Sequence, residues 1–204
     1  MAKLDLGGYF SDHFSRYCKY YILLALFAVL GLVLGIISAN NLSGLLTEER
    51  IKIIFFKSIY IDVNFFIAFF GNTFIMLILY GVIVLVNISV FILPFGFILI
   101  IYRGYLAGFA AVALIKIYGG GGIVNLIFIF IPFQVMLMFF LLGAMAICMG
   151  RLFSNLHAGA FCFHNVDYPS MFRELIIFFV IFIVVNFLLS LVCMIITKAF
   201  VISV

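Results

Sequence analysis

Few side chains in this sequence can do chemistry, and the most conspicuous is Arg103. It stands alone in the apolar run that begins at Asn87 and passes Pro94, Gly104 and Gly108 before Lys116. On a helix Arg103 would lie near the centre of a bilayer, where an arginine costs several kcal/mol unless it is paired, hydrated or able to snorkel. Two roles fit. With the amides of Asn72, Asn125, Gln134 and Asn186, which punctuate other apolar runs, it would bind an anion beside a kinked helix, as transport sites do. Alternatively it bonds carbonyls left free around Pro94 or Pro132 and fixes helix packing. Asp62 and Glu174, its nearest acids, fall at the ends of apolar runs, so a midplane salt bridge would need a deep bend.

The other reactive types are in the segment from Arg151 to Arg173, which holds His157, Cys162, His164 and Asp167. These can bind zinc, but their spacing fits no usual ligand pattern, and they read as solvated loop residues. The glycines of Tyr118–Gly122 are followed by no Lys-Ser/Thr, so they read as a turn and not as a phosphate loop. Cys18, Cys148, Cys162 and Cys193 make no CxxC pair and behave as small apolar residues. The sequence has no HExxH, no GxSxG and no acid pair within a span. The expectation is a non-enzyme with no cofactor and no metal.

The elements that position these residues follow from composition. The chain has 204 residues, of which 69% are hydrophobic and 9% charged; no soluble domain of this size could bury so much apolar surface. Several runs reach the roughly 20 residues that cross a bilayer. The predicted fold is all-α: a polytopic transmembrane helix bundle of about five spans, with six left open. Residues 1–19 form a polar or interfacial lead, either a short surface helix or a direct entry to the first span, and residues 20–204 form one transmembrane domain. The spans are placed near 20–38, 64–86, 88–115, 123–149 and 175–196. The central run would be about 42 Å long as a straight helix, so a kink at Pro94, a break at Arg103-Gly104, or a late helix start is expected. Thr47-Glu-Glu-Arg followed by Ile51, Ile54 and Phe55 predicts an amphipathic helix in the loop between the first two spans. Small residues at Gly31/Gly35 and at Gly104/Gly108 are spaced for close helix packing or for recognition of another polypeptide. Three basic residues ahead of the first span, Lys3, Arg16 and Lys19, favour a cytoplasmic N-terminus. The net charge of +4 is spread between spans and gives no case for nucleic acid.

Four stretches together resemble the stage II sporulation protein M family of bacterial membrane proteins. They are Gly31-Leu-Val-Leu-Gly35-Ile-Ile-Ser-Ala-Asn; Pro94 followed by Arg103-Gly104-Tyr105-Leu-Ala-Gly108-Phe109; Tyr118-Gly119 leading to Ile131-Pro132-Phe133-Gln134; and Ile196-Thr197-Lys198-Ala199-Phe200-Val201. The order of these motifs carries the likeness more than any one of them. Many relatives have a glutamate where Leu137 stands, an acidic residue at Lys198 and a histidine at Phe133, so this chain departs from the pattern there.

The resemblance implies an integral membrane scaffold in the bacterial cell membrane, anchoring peptidoglycan-remodelling enzymes during engulfment of the forespore. Its partners would be membrane-anchored or extracytoplasmic proteins such as cell-wall hydrolases; the composition itself implies membrane lipid, and a homo-oligomer is left open. The site residues would be Gly31, Gly35, Pro94, Arg103, Gly104, Gly108 and Pro132, used for helix packing and partner binding. The alternative is a membrane subunit of a transporter or permease working with a cytoplasmic ATPase.

Overall fold

The computed structural model describes residues 6–41, 65–86, 92–157 and 168–200. Among these residues there are five α-helices and no strand: α1 (Leu6–Asn41), α2 (Phe65–Val86), α3 (Leu93–Asn125), α4 (Ile131–His157) and α5 (Tyr168–Phe200). The sequence leaves little choice. Runs of Leu, Ile, Val and Phe in lipid must satisfy every backbone N–H and C=O internally, and a helix does this within one segment.

Four continuous helical segments are long and apolar enough to cross a membrane, and one of them, Leu93–Ser154, is 62 residues long. Straight, it would extend about 93 Å, about three times the hydrocarbon core. It is not straight. Gly119 has φ 55° and ψ −125° inside otherwise helical backbone, a conformation that costs an L side chain strain and glycine very little. The chain reverses there. Gly122 comes back against the Leu114 carbonyl, where a Cβ would collide, and Phe130 joins Phe109 and Ala113 in one buried cluster. α3 and α4 are thus an antiparallel hairpin, and the described residues form a multi-pass membrane bundle of five helices.

The turn expected over Tyr118–Gly122 narrows to the single residue Gly119. The kink expected at Pro94 is absent, because α3 begins at Leu93 and Pro94 occupies its first turn, where a missing N–H is harmless. Arg103-Gly104 lies in unbroken helix. Pro132 is accommodated differently. A π turn over Leu126–Phe130 precedes it, and the Ile131 N–H donates to the Leu126 carbonyl, five residues back. The wider turn makes room where the proline ring would crowd a helical carbonyl.

α1 is one helix of 36 residues, about 54 Å long. The polar lead therefore runs directly into the first span, with no separate surface helix from Leu6 onward. The amphipathic helix expected from Thr47 lies outside the described residues, as do Cys162, His164 and Asp167.

α4 is the centre of the bundle. Phe133, Leu137, Phe140, Leu141, Ala144, Met145, Cys148 and Leu152 are buried along its length, packed with Met76, Ile83, Ile100, Phe178 and Phe182 from the other helices. α1 and α3 run parallel. α5 runs antiparallel to α4, since Arg151 meets Glu174 and Phe140 meets Phe182. It is also antiparallel to α2, since Phe69 meets Phe187 and Tyr80 meets Phe179.

Candidate functional site

Three polar or close-packed places and one open face distinguish this bundle from a generic apolar one. The first is the seam between α1 and α3. A Cβ added at Gly31 would fall on the Ile101 carbonyl, and one at Gly35 on the Tyr105 carbonyl. In return, Gly104 is seated on the Ala28 carbonyl and Gly108 on the Leu32 carbonyl. The two pairs of small residues are each spaced by four, so they lie on one face of each helix and interlock. Backbones approach this closely only without side chains between them. Lys116 fixes the register at the far end: its Nζ donates to the carbonyls of Ala39 and Asn40 at 3.3 and 3.4 Å, satisfying part of the open C-terminus of α1.

The structure therefore brings four of the sequence-predicted site residues together, but each glycine pair is covered by the other. Of the two uses expected of these faces, helix packing is the one this geometry displays. Arg103 sits on the same stretch of α3, half-buried, at the level of Ala28 to Leu32 of α1. Pro94 and Pro132 lie apart from it, one in the first turn of α3 and one just inside α4.

The second place is the α2–α5 contact. Asn186 is fully buried, and Asn72 nearly so. The Asn186 amide donates to the Phe69 carbonyl and to Thr73 Oγ1, both at 3.0 Å, and Thr73 Oγ1 donates to the same carbonyl at 2.8 Å. Asn72 Nδ2 lies 3.5 Å from Asn186 Oδ1. In lipid such a knot fixes helix rotation. Asn125 is buried at the end of α3, ahead of the π turn, and Gln134 is half-buried on the first turn of α4. Of the amides expected to assist Arg103, Asn72 and Asn186 thus share the α2–α5 contact, while Asn125 and Gln134 stand at either side of the π turn.

The third place is the end of the bundle where α1 and α5 start and α4 finishes. Glu174 Oε1 accepts from Arg151 Nη2 at 2.7 Å, Glu174 Oε2 accepts from the Tyr17 hydroxyl at 3.1 Å, and Arg16 Nη1 lies 3.8 Å from Oε1. One carboxylate thus ties three helices. The side chains of Arg151 and Glu174 are only 26% and 14% exposed whereas Arg16 is 64% exposed, so the Arg151 bond carries most of the energy. His13 is buried behind this clamp. Its Nε2 is 3.0 Å from the Tyr21 hydroxyl, and its ring packs against Tyr17 and Phe178 at 4.8 Å. Gly150 and Gly143 make the space, since a Cβ at Gly150 would meet the Tyr17 ring and one at Gly143 the Phe178 ring. Arg16, Lys19 and Arg151 also wall a recess of about 330 Å³ with Tyr20, Gly150 and Ser154.

Sequence reasoning missed this clamp because its members are far apart in the chain. A signal was present all the same: His13, Tyr17, Tyr21 and Leu24 recur at helical spacing on one face of α1, and Gly143 and Gly150 are two turns apart on α4.

The open face belongs to α2. Its inner side buries Asn72, Met76, Tyr80, Ile83 and Val86, with the Tyr80 hydroxyl donating to the Phe140 carbonyl at 3.3 Å. The opposite side exposes Phe66, Phe70, Phe74, Leu77 and Leu85 in one stripe. Gly71 and Gly81 lie on this exposed side, and a Cβ at either would meet nothing. Beside Gly81 an apolar groove of about 500 Å³ opens between α2 and α5, walled by Leu77, Val84, Phe172, Ile176 and Phe179. Among the described residues no group of three His, Cys, Asp or Glu side chains could hold a metal ion, and Cys18, Cys148 and Cys193 are free thiols.

Comparison of the chain with protein-family models, with curated proteins and with solved structures finds no match.

Proposed function

We propose that this protein is a non-enzymatic membrane scaffold that holds partner proteins by docking their transmembrane helices against α2. The carrying observation is the contrast among the helical glycines. Gly31, Gly35, Gly96, Gly104, Gly108, Gly122, Gly143 and Gly150 all seat a neighbouring helix or side chain, whereas Gly71, Gly81 and Gly120 face open space, Gly120 beside the turn residue Gly119 but Gly71 and Gly81 inside α2. A glycine inside a helix costs roughly 0.5–1 kcal/mol relative to alanine. Close packing offsets that cost at the first eight positions. At Gly81, beside an apolar groove and a stripe of phenylalanines, a partner helix would supply the same return.

This agrees with the scaffold role that the resemblance to the stage II sporulation protein M family implies. In that reading the chain lies in a bacterial cell membrane with its N-terminus in the cytoplasm, and the anchored partners are peptidoglycan-remodelling enzymes or their membrane anchors.

The test places a photo-crosslinking residue at Phe74 or Leu85 on the open stripe, and at Val29 on the outer side of α1 as a comparison. A discrete protein adduct from native membranes at the α2 positions, lost in Gly81→Leu, is the expected result. Capture of lipid alone at all three positions sinks the docking reading. A cytoplasmic ATPase as the dominant co-purifying protein moves the case to a transport-complex subunit.

A further inference from the structure

We infer that the recess walled by Arg16, Lys19, Tyr20, Arg151 and Ser154 binds a phosphate group, and that this group belongs to a phospholipid or to a free phosphate. The argument starts from charge. Three cations line the recess, and the one carboxylate among the described residues that contacts them is Glu174. One carboxylate against three cations leaves the recess net positive, with Arg16 and Lys19 exposed at its mouth, and such a basic cluster beside a membrane attracts anionic headgroups. Arg151 is held at the wall of the recess by its bond to Glu174 at 2.7 Å, so its guanidinium is fixed in place before a ligand arrives. A phosphate presents several acceptor oxygens, and its charge-assisted bonds to guanidinium and ammonium are among the strong ones.

The surroundings fit a lipid. Arg16, Lys19, Tyr20 and Leu23 follow one another at helical spacing on α1, and the exposed side chains continue through Leu23 and Leu26 towards the bilayer interior. A headgroup in the recess would therefore leave its acyl chains on an apolar track. Tyr20, stacked on Phe153 with ring centroids 5.9 Å apart, stands at the junction, as aromatic residues do where hydrocarbon meets water.

The recess is a site separate from the open face of α2, and it stands or falls independently of the docking reading. Full-length protein in a neutral detergent is titrated with a short-chain phosphatidylglycerol, with inorganic phosphate and with a diacylglycerol, and bound adducts are counted by native mass spectrometry. The variant is Arg16→Gln/Lys19→Gln, which spares the Arg151–Glu174 bond; Lys116→Gln, at the opposite end of the bundle, is the control. One phosphatidylglycerol per chain is expected, weakened roughly ten- to thirtyfold in the double variant and unchanged in Lys116→Gln. Binding of phosphatidylglycerol without inorganic phosphate identifies a lipid headgroup, and saturable binding of both identifies a site for phosphate itself. Equal binding of diacylglycerol, or a double variant that binds as the wild type does, overturns the inference.

Discussion

Replacing glycine by alanine should have opposite signs at Gly104 and at Gly81. In both places the substitution removes the glycine penalty, a gain of up to about 1 kcal/mol in a helix interior. At Gly81 nothing lies within 4 Å of the new methyl, so the gain stands and the isolated protein becomes more stable. At Gly104 the methyl lands on the Ala28 carbonyl oxygen, with Leu32 N at 3.1 Å and the Ala28 carbonyl carbon at 3.2 Å. These are backbone atoms, and no rotamer change can clear them. α1 must move off α3. A gap of about 0.5–1 Å already forfeits a quarter to a half of each dispersion contact, and the same seam carries Gly31, Gly35 and Gly108. Overpacking of this kind costs about 1–3 kcal/mol, which outweighs the propensity gain. The expected net change is a loss of up to about 2 kcal/mol for Gly104→Ala and a gain of up to about 1 kcal/mol for Gly81→Ala. Reversible unfolding in mixed micelles, followed by circular dichroism against the fraction of denaturing detergent, reads both. A Gly104→Ala variant as stable as Gly81→Ala would refute the interlocked seam.

Four further substitutions have outcomes set by the geometry. Glu174→Gln should lower stability by roughly 1.5–3 kcal/mol, because Arg151 loses its charged acceptor, while Tyr17→Phe should cost about 0.5–1.5 kcal/mol; the same unfolding assay ranks them. Asn186→Leu removes the donor shared by Phe69 and Thr73 and should cost about 0.6 kcal/mol, at most about 1.7 kcal/mol, with crosslinking between cysteines placed on α2 and α5 becoming less selective for one register. Gly119→Ala meets no steric obstacle, yet its positive φ should cost about 1–3 kcal/mol; loss of an α3–α4 cysteine crosslink near Phe109 and Phe130 would accompany it, and a neutral result would contradict the hairpin geometry at that residue.

The sequence alone determined that this is a membrane bundle of helices, because runs of apolar residues long enough to span lipid admit almost no other backbone. It also determined which residues are small enough for close approach. It could not say what approaches them. Gly31/Gly35 and Gly104/Gly108 read equally as a surface for another protein or as an internal seam, and only the parallel placement of α1 and α3 decided that they face each other. Local signals gave Pro94 and Arg103-Gly104 as possible breaks, Pro132 as freeing a carbonyl and Tyr118–Gly122 as a turn, but their consequences depended on context. Pro94 fell in a helix's first turn, Pro132 followed a π turn, and Gly119 alone reversed the chain. The clamp of Arg16, Tyr17, Arg151 and Glu174 was least legible, since it joins residues as far apart in sequence as Tyr17 and Glu174. Periodicity records which side of a helix is buried; only tertiary packing decides which distant side chain shares that burial, because charge pairing acts across space and not along the chain.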